Sequence, residues 1–377
     1  MSGIYLHIPF CRQACHYCDF HFSTTLKHKG ALLKAMHREL WLRRDEMGEG
    51  LVETVYFGGG TPSLLSQGEI EAFLEQIARG YNLAPDAEIT LEANPDDLSP
   101  ARVQGLAAGP VNRLSIGIQS FSEEELRWMN RAHTADEALR SLESASRHFD
   151  NYSIDLIYGI PGSRPETWQQ SLKTALGFDP PHISAYALTV EPDTALKSQI
   201  DRGLSADTDE DRTESDFRHL VDTLEQAGYA HYEISNFGKP GFYSRNNAAY
   251  WLGKPYLGIG PSAHSYNGVS RRWNMAHNLK YIRALEAGSP YFEIETLSRQ
   301  DRYNEAVMTG LRTEWGVSLG SIRQEFGPRF ESYLLKLAQP YLEQHLLRRE
   351  DDRLLLSKKG KFLADGIASD LFMINLK

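Results

Sequence analysis

Three cysteines stand at positions 11, 15 and 18 of this 377-residue chain, and it has no others. An odd number crowded into one short stretch makes a poor disulfide framework and suits a metal centre in a reducing compartment. The spacing C-x₃-C-x₂-C follows an apolar run at 7–10. On one tight loop, three thiolates can bind three irons of a 4Fe-4S cubane and leave the fourth iron open to a small molecule. A structural zinc site needs a fourth protein ligand, for which His7, His16 and His21 are at hand. Buried inert thiols are the remaining reading, and the spacing alone leaves all three open.

A second feature is the run Gly58, Gly59, Gly60, Thr61, Pro62. Successive glycines let a ligand approach the backbone and offer it N–H groups. With no Lys in the Walker position a nucleotide phosphate is disfavoured, and a carboxylate or amino head group fits better. Further polar residues punctuate the ends of apolar runs: Glu92 and Asn94, Gln119 and Ser120, and Asp155.

The elements that must position these groups read as repeated βα units. Strands are predicted at 3–10, 53–57, 88–93, 113–119, 152–158, 182–190 and 231–235, with helices between them. Ser66 with Glu69, Ser122 with Glu125, and Thr134 with Glu137 have the capping-box spacing. Parallel strands joined by right-handed crossovers curl into a barrel, whose strand ends share one face with the connecting loops. The predicted fold is α/β, a partial TIM-like barrel that gathers the cysteine loop, the glycine loop and the polar strand ends at one pocket.

A break near 288–290 divides the sequence into a large unit, 1–288, and an accessory unit, 289–377. The latter reads as helices at 299–312, 319–326 and 329–344, a short polar hairpin, and a last helix from about 358. That order is winged-helix-like, yet no concentrated basic face accompanies it, so a lid or docking role is predicted rather than DNA binding. Acidic residues exceed basic ones by ten, which disfavours nucleic acid and anionic membranes as direct partners. No apolar run approaches a membrane span and no signal-like start is seen, so a cytoplasmic protein is expected.

The stretches Tyr5-x-His7-Ile8-Pro9-Phe10-Cys11, Cys15, Tyr17-Cys18-Asp19 and Gly58 to Pro62 resemble the radical S-adenosylmethionine superfamily. Within it the chain is similar to the oxygen-independent coproporphyrinogen oxidase family and its heme chaperone branch. The likeness runs on through residues 91–95, 117–121, 130–133, 155–161, 186–192, 232–237, 250–251 and 258–266. It implies that Cys11, Cys15 and Cys18 hold a 4Fe-4S cluster whose open iron is chelated by S-adenosylmethionine. It also implies that Tyr5, Tyr17, Gly59, Gly60, Thr61, Glu92, Gln119, Arg131, Asp155, Ala187 and His264 line the S-adenosylmethionine pocket. For Ala187 and His264 the motif alone supports the assignment. Reductive cleavage of the sulfonium to a 5′-deoxyadenosyl radical would need a one-electron donor such as a flavodoxin.

Two features separate the branches. The oxidases carry a further Cys two positions after the third cluster cysteine, where this chain has Phe20, and a longer segment before the motif that begins at Tyr5. Both favour the chaperone branch, which implies heme binding and delivery to a hemoprotein acceptor; an acceptor at a membrane would bring peripheral membrane contact. The alternative is oxidative decarboxylation of coproporphyrinogen III. One departure concerns the branch pattern His-Asn-x-x-Tyr-Trp, whose His is implied to ligate heme iron. Here the pattern begins with Asn246, a weak iron ligand beside a neutral imidazole. Asn246→His is therefore expected to tighten heme binding, with His264 or His277 as substitute ligands in the native chain. Trp251, Tyr256, Tyr266 and Trp273 are candidates to stack on the porphyrin, and Arg245, Arg271 and Arg272 to pair with its propionates. Nothing in the sequence sets the oligomeric state.

Overall fold

The computed structural model describes residues 2–374. Six parallel strands run side by side in chain order: β1 (Ser2–Ile8), β2 (Val52–Gly59), β3 (Leu83–Ala93), β4 (Arg113–Gln119), β5 (Tyr152–Tyr158) and β6 (His182–Ala187). Crossover helices cover their outer face. The helix Gln67–Gly80 shows why: Ser66 and Glu69 close a capping box at its start, and Ile70, Phe73, Leu74 and Ile77 form one buried stripe. Each such side chain, fully buried, is worth roughly 1.5–3 kcal/mol over exposure. Thr134 and Glu137 cap Ala135–His148 in the same way. At Ser122 only half of the expected box forms. Its hydroxyl accepts from the Glu125 backbone, but the Glu125 carboxylate turns away to the Ser120 and Ser163 hydroxyls.

The seventh predicted strand does not extend the parallel series. It is β7 (Ala230–Glu233), half of a hairpin with β8 (Asn236–Gly238), and β8 rather than β7 pairs with β6, antiparallel. At the other flank β9 (Tyr256–Ile259) adds parallel to β1. Three antiparallel strands follow: β10 (His264–Tyr266), β11 (Ser270–Asn274) and β12 (Phe292–Thr296). The result is one twelve-stranded sheet, β12-β11-β10-β9-β1-β2-β3-β4-β5-β6-β8-β7. A short helix, Arg245–Trp251, packs against β1 and β2 at the end where those strands begin.

Although β12 lies beyond the expected divide at 288/289, it still belongs to the large sheet. A separate core begins with Tyr303, Val307 and Leu311 on the helix Arg299–Leu311. Helices Leu319–Phe326 and Pro328–Glu343 join it, with a small sheet β13-β15-β14 (Val317–Ser318, Arg353–Leu356, Leu347–Glu350) and a last helix Ala364–Asp370. This unit also reaches the opposite edge of the large sheet. Ile234 N donates to the Arg312 carbonyl (3.1 Å), Glu314 N to the Tyr232 carbonyl (3.0 Å), and Arg312 pairs with the buried Glu233 at 3.1 Å. No helix among the described residues is long and apolar enough to cross a membrane.

Candidate metal centre and its two cavities

The cysteine loop leaves β1 and is pinned on both sides. Cys11 N donates to the Ser23 carbonyl at 3.1 Å, and His16 N to the Met129 carbonyl at 3.1 Å. The glycine loop lies directly against it. A Cβ at residue 60 would stand 2.7 Å from the Phe10 carbonyl oxygen and 3.0 Å from Cys11 Sγ, so the two loops approach this closely only because Gly60 has no side chain. Gly59 has φ 109°, and a Cβ there would meet the His7 ring at 2.7 Å.

Cys11, Cys15 and Cys18 line a cavity of about 470 Å³ at the carboxyl ends of the parallel strands. Tyr17, Gly59, Gly60, Thr61, Glu92, Gln119, Arg131, Asp155 and Ala187 line it as well. Among the described residues no three His, Cys, Asp or Glu side chains close around a single-ion site. The three sulfurs border a chamber instead, which suits a multi-iron cluster. Burial pushes the Cys18 thiol up to about 11 and raises Cys11, whose rise a Thr61 hydrogen bond opposes. Thiolates here therefore require cationic company, the condition that bound iron satisfies.

Arg131 supplies a cation beside them. One of its Nη atoms lies 3.4 Å from Cys15 Sγ, and the other donates to Asn94 Oδ1 (2.8 Å) and the Gly117 carbonyl (3.1 Å). Its Nε is buried without a partner, a donor left for an anion. Despite its burial the guanidinium is held firmly protonated by Tyr17 and Cys15. Across the cavity, Glu92 accepts from Tyr56 Oη (2.8 Å) and Gly59 N (3.2 Å), and burial pushes its carboxyl up to about 7. Asp155 accepts from the Ser115 (2.9 Å) and Ser153 (3.1 Å) hydroxyls and is likewise raised by burial. Gln119 sits at φ 65°, which turns the chain sharply at the end of β4. One guanidinium and two carboxylates thus face a chamber of small-molecule size, the complement of an amino acid joined to a nucleoside.

Tyr5 and His264 do not join this set. They line a second cavity, of about 920 Å³, between the β9–β11 flank and the helices Arg299–Leu311 and Leu319–Phe326. Tyr5 reaches the first cavity only through Tyr56, on whose ring it stacks at 6.0 Å. Of the aromatic candidates, Trp251, Tyr256 and Tyr266 face the second cavity, and Arg271 does so too. Trp273 stands behind them, stacked on the His264 ring; Arg272 is tied to Glu46 and Arg245 to Asp86. His277 is not a cavity residue: its side chain caps the helix Asn278–Ala287. Asp19 and Phe20 belong to both cavities. Tyr56 and Asn247 also line the first cavity, outside the set that the motifs assign to it. The period-2 alternation of β2, which sends Tyr56 inward one step before the glycine loop, is the signal that could have found the former.

Asn246 has a different role from the one expected. It lines neither cavity, is 3% exposed, accepts from Thr54 Oγ1 at 3.0 Å, and donates its backbone N–H to Glu88 at 3.1 Å. It secures the short helix Arg245–Trp251 at the strand starts, so an imidazole there would be walled in rather than offered to iron.

The radical SAM superfamily profile matches residues 5–175, and the HemN C-terminal domain profile matches 297–363. The heme chaperone HemW of Bacillus subtilis is 32% identical over 371 residues, covering 97% of this chain and 98% of that protein. Its counterpart in Mycobacterium tuberculosis is 35% identical over 375 residues, covering 98% and 94%. The chain belongs to the HemW heme chaperone family. Within that family's wider fold, the solved coproporphyrinogen III oxidase HemN of Escherichia coli, a radical SAM enzyme, superposes with a TM-score of 0.85 at 25% identity, covering 99% of this chain and 90% of that one.

Proposed function

We propose that the chain is a heme chaperone that carries a 4Fe-4S cluster on Cys11, Cys15 and Cys18, binds S-adenosylmethionine beside it, and delivers heme to an acceptor protein. The observation that carries this reading is the convergence of three sulfurs, the unpartnered Arg131 Nε and the Glu92 and Asp155 carboxylates on one chamber, next to a larger aromatic cavity. In the first chamber Arg131 binds the methionine carboxylate, Glu92 the ammonium group and Asp155 the ribose hydroxyls, while Tyr17 covers the adenine. When bound, the cluster supplies single-electron reduction of the sulfonium, and the chain orients the ligand and excludes water. A soluble one-electron donor completes the set of partners.

Anaerobic reconstitution tests the reading. It predicts iron and sulfide in equal amounts, about four of each per chain in line with a cubane on three thiolates, S-adenosylmethionine binding, and a Soret band on hemin addition. Zinc in place of iron, or no Soret change, overturns it. The likeness to the HemN fold favours a second reading, decarboxylation of coproporphyrinogen III. Product analysis with the reduced, cluster-loaded protein separates the two, since a chaperone leaves the propionates intact.

A further inference from the structure

The second cavity contains three histidines whose ring nitrogens are committed very differently. His7 has both engaged: Nδ1 lies 3.3 Å from Tyr5 Oη, and Nε2 lies 3.0 Å from the His21 carbonyl oxygen. His21 has Nε2 bound at 2.8 Å to Asn278 Oδ1. His264, at the start of β10, is exposed to the cavity and makes no side-chain hydrogen bond among the described residues; its ring is held only by stacking on Trp273 at 6.2 Å and 27°. An orientated imidazole with free nitrogens is the form in which histidine meets a metal.

The surroundings suit a flat, amphipathic ligand. Trp251, Tyr256, Tyr266 and Phe326 supply ring faces. At the other side Arg302 pairs with Glu325 at 2.9 Å, yet its Nε is buried without an acceptor. Arg271 pairs with Glu305 at 2.9 Å, and burial raises the Glu305 carboxyl, which weakens it as a competitor for the guanidinium. The cavity, at about 920 Å³, lies near the upper end of the roughly 300–1,000 Å³ typical of ligand sites.

Resting on the chaperone reading, we infer that an iron porphyrin lodges between the β9–β11 flank and the C-terminal helices, with His264 as its axial ligand and Arg302 and Arg271 at its propionates. Heme iron takes a neutral imidazole nitrogen, and stacking on Trp273 holds the His264 ring in place while leaving its nitrogens without a protein partner among the described residues. The site is distinct from position 246, which is sealed in the barrel floor. It also puts the porphyrin against Phe20, the residue that forms part of the cluster chamber wall.

The test is a hemin titration of the cluster-loaded protein, followed by Soret position, magnetic circular dichroism and affinity. His264→Ala is expected to lower affinity at least tenfold and to abolish the nitrogen-ligated signature, while His277→Ala, at an exposed position outside both cavities, leaves both unchanged. Ser321→Trp, at an exposed position on the cavity wall, is expected to weaken binding while the iron and sulfide content stays at the wild-type level. If His264→Ala titrates like wild type, the ligand assignment is overturned. If Ser321→Trp also does so, the cavity is wrong as well. Failure of the wild type to bind hemin at all would instead sink the chaperone reading on which this inference stands.

Discussion

The two cavities meet at Asp19 and Phe20 but are built on opposite plans. The cluster chamber comes from consecutive strand ends of one rigid sheet, and its polar groups are fixed before any ligand arrives: Glu92 by Tyr56 and Gly59, Arg131 by Asn94 and Gly117, Asp155 by two serines. Two departures from easy backbone geometry, at Gly59 and Gln119, add to that fixity. The larger cavity is assembled from two separately packed cores, lined by rings, and bordered by the ion pairs Arg271–Glu305 and Arg302–Glu325. A site that must hold a reactive cofactor in register is served by the first plan, and one that must surrender its cargo by the second.

Substitutions can break this contrast. Cys15→Ala should abolish the cluster altogether, read as loss of iron, sulfide and visible absorbance, while hemin still binds in the other cavity; loss of both would show that the two sites are one. Gly60→Ala drives a Cβ into the Phe10 backbone, so it should cost about 1–3 kcal/mol in thermal unfolding and impair cluster assembly, because backbone, unlike a side-chain tip, cannot swing aside. Arg131→Met removes a charge-assisted contact worth about 1.5–3 kcal/mol, so S-adenosylmethionine affinity measured by equilibrium dialysis should fall roughly 10- to 100-fold with hemin affinity unchanged.

Glu92 sharpens the contrast through pH. Its folded-state value of about 7 lies above the 4.5 of a free carboxyl, so the folded state binds the extra proton in that window. The ligand-free protein should therefore lose stability as pH rises from 4.5 to 7, and Glu92→Gln should flatten that dependence by on the order of 3 kcal/mol in denaturant titrations. The smallest effect concerns Asn246→His. Because Asn246 is locked between Thr54 and Glu88, the change should leave hemin affinity at the wild-type value, contrary to what the motif alone suggests.

How far the sequence disclosed each region follows from the same contrast. Strands β4 and β5 lie where the apolar runs place them, and the cysteine and glycine loops meet as expected, because parallel strands buried on both faces leave long continuous signals. The β9–β12 flank left no such trace. Its strands are three to five residues long, half exposed, and owe their pairing to neighbours distant in sequence. His264 illustrates the consequence: its motif marked it as a site residue, but only the fold of that flank decides which cavity it serves. Position 246 was opaque for another reason, since a pattern of residue types carries no information on the burial that encloses Asn246.

The attachment of the C-terminal unit at both sheet edges has a mechanical consequence. It continues the chain beyond β12 and grips the far strand through Arg312 and Thr313, so a sheet that would otherwise gape is drawn into a hoop with a small buckle. Undoing the buckle at Glu233 and Arg312 would let the hoop spring wider without parting any two neighbouring strands, and the edge beside it is spared from recruiting foreign chains.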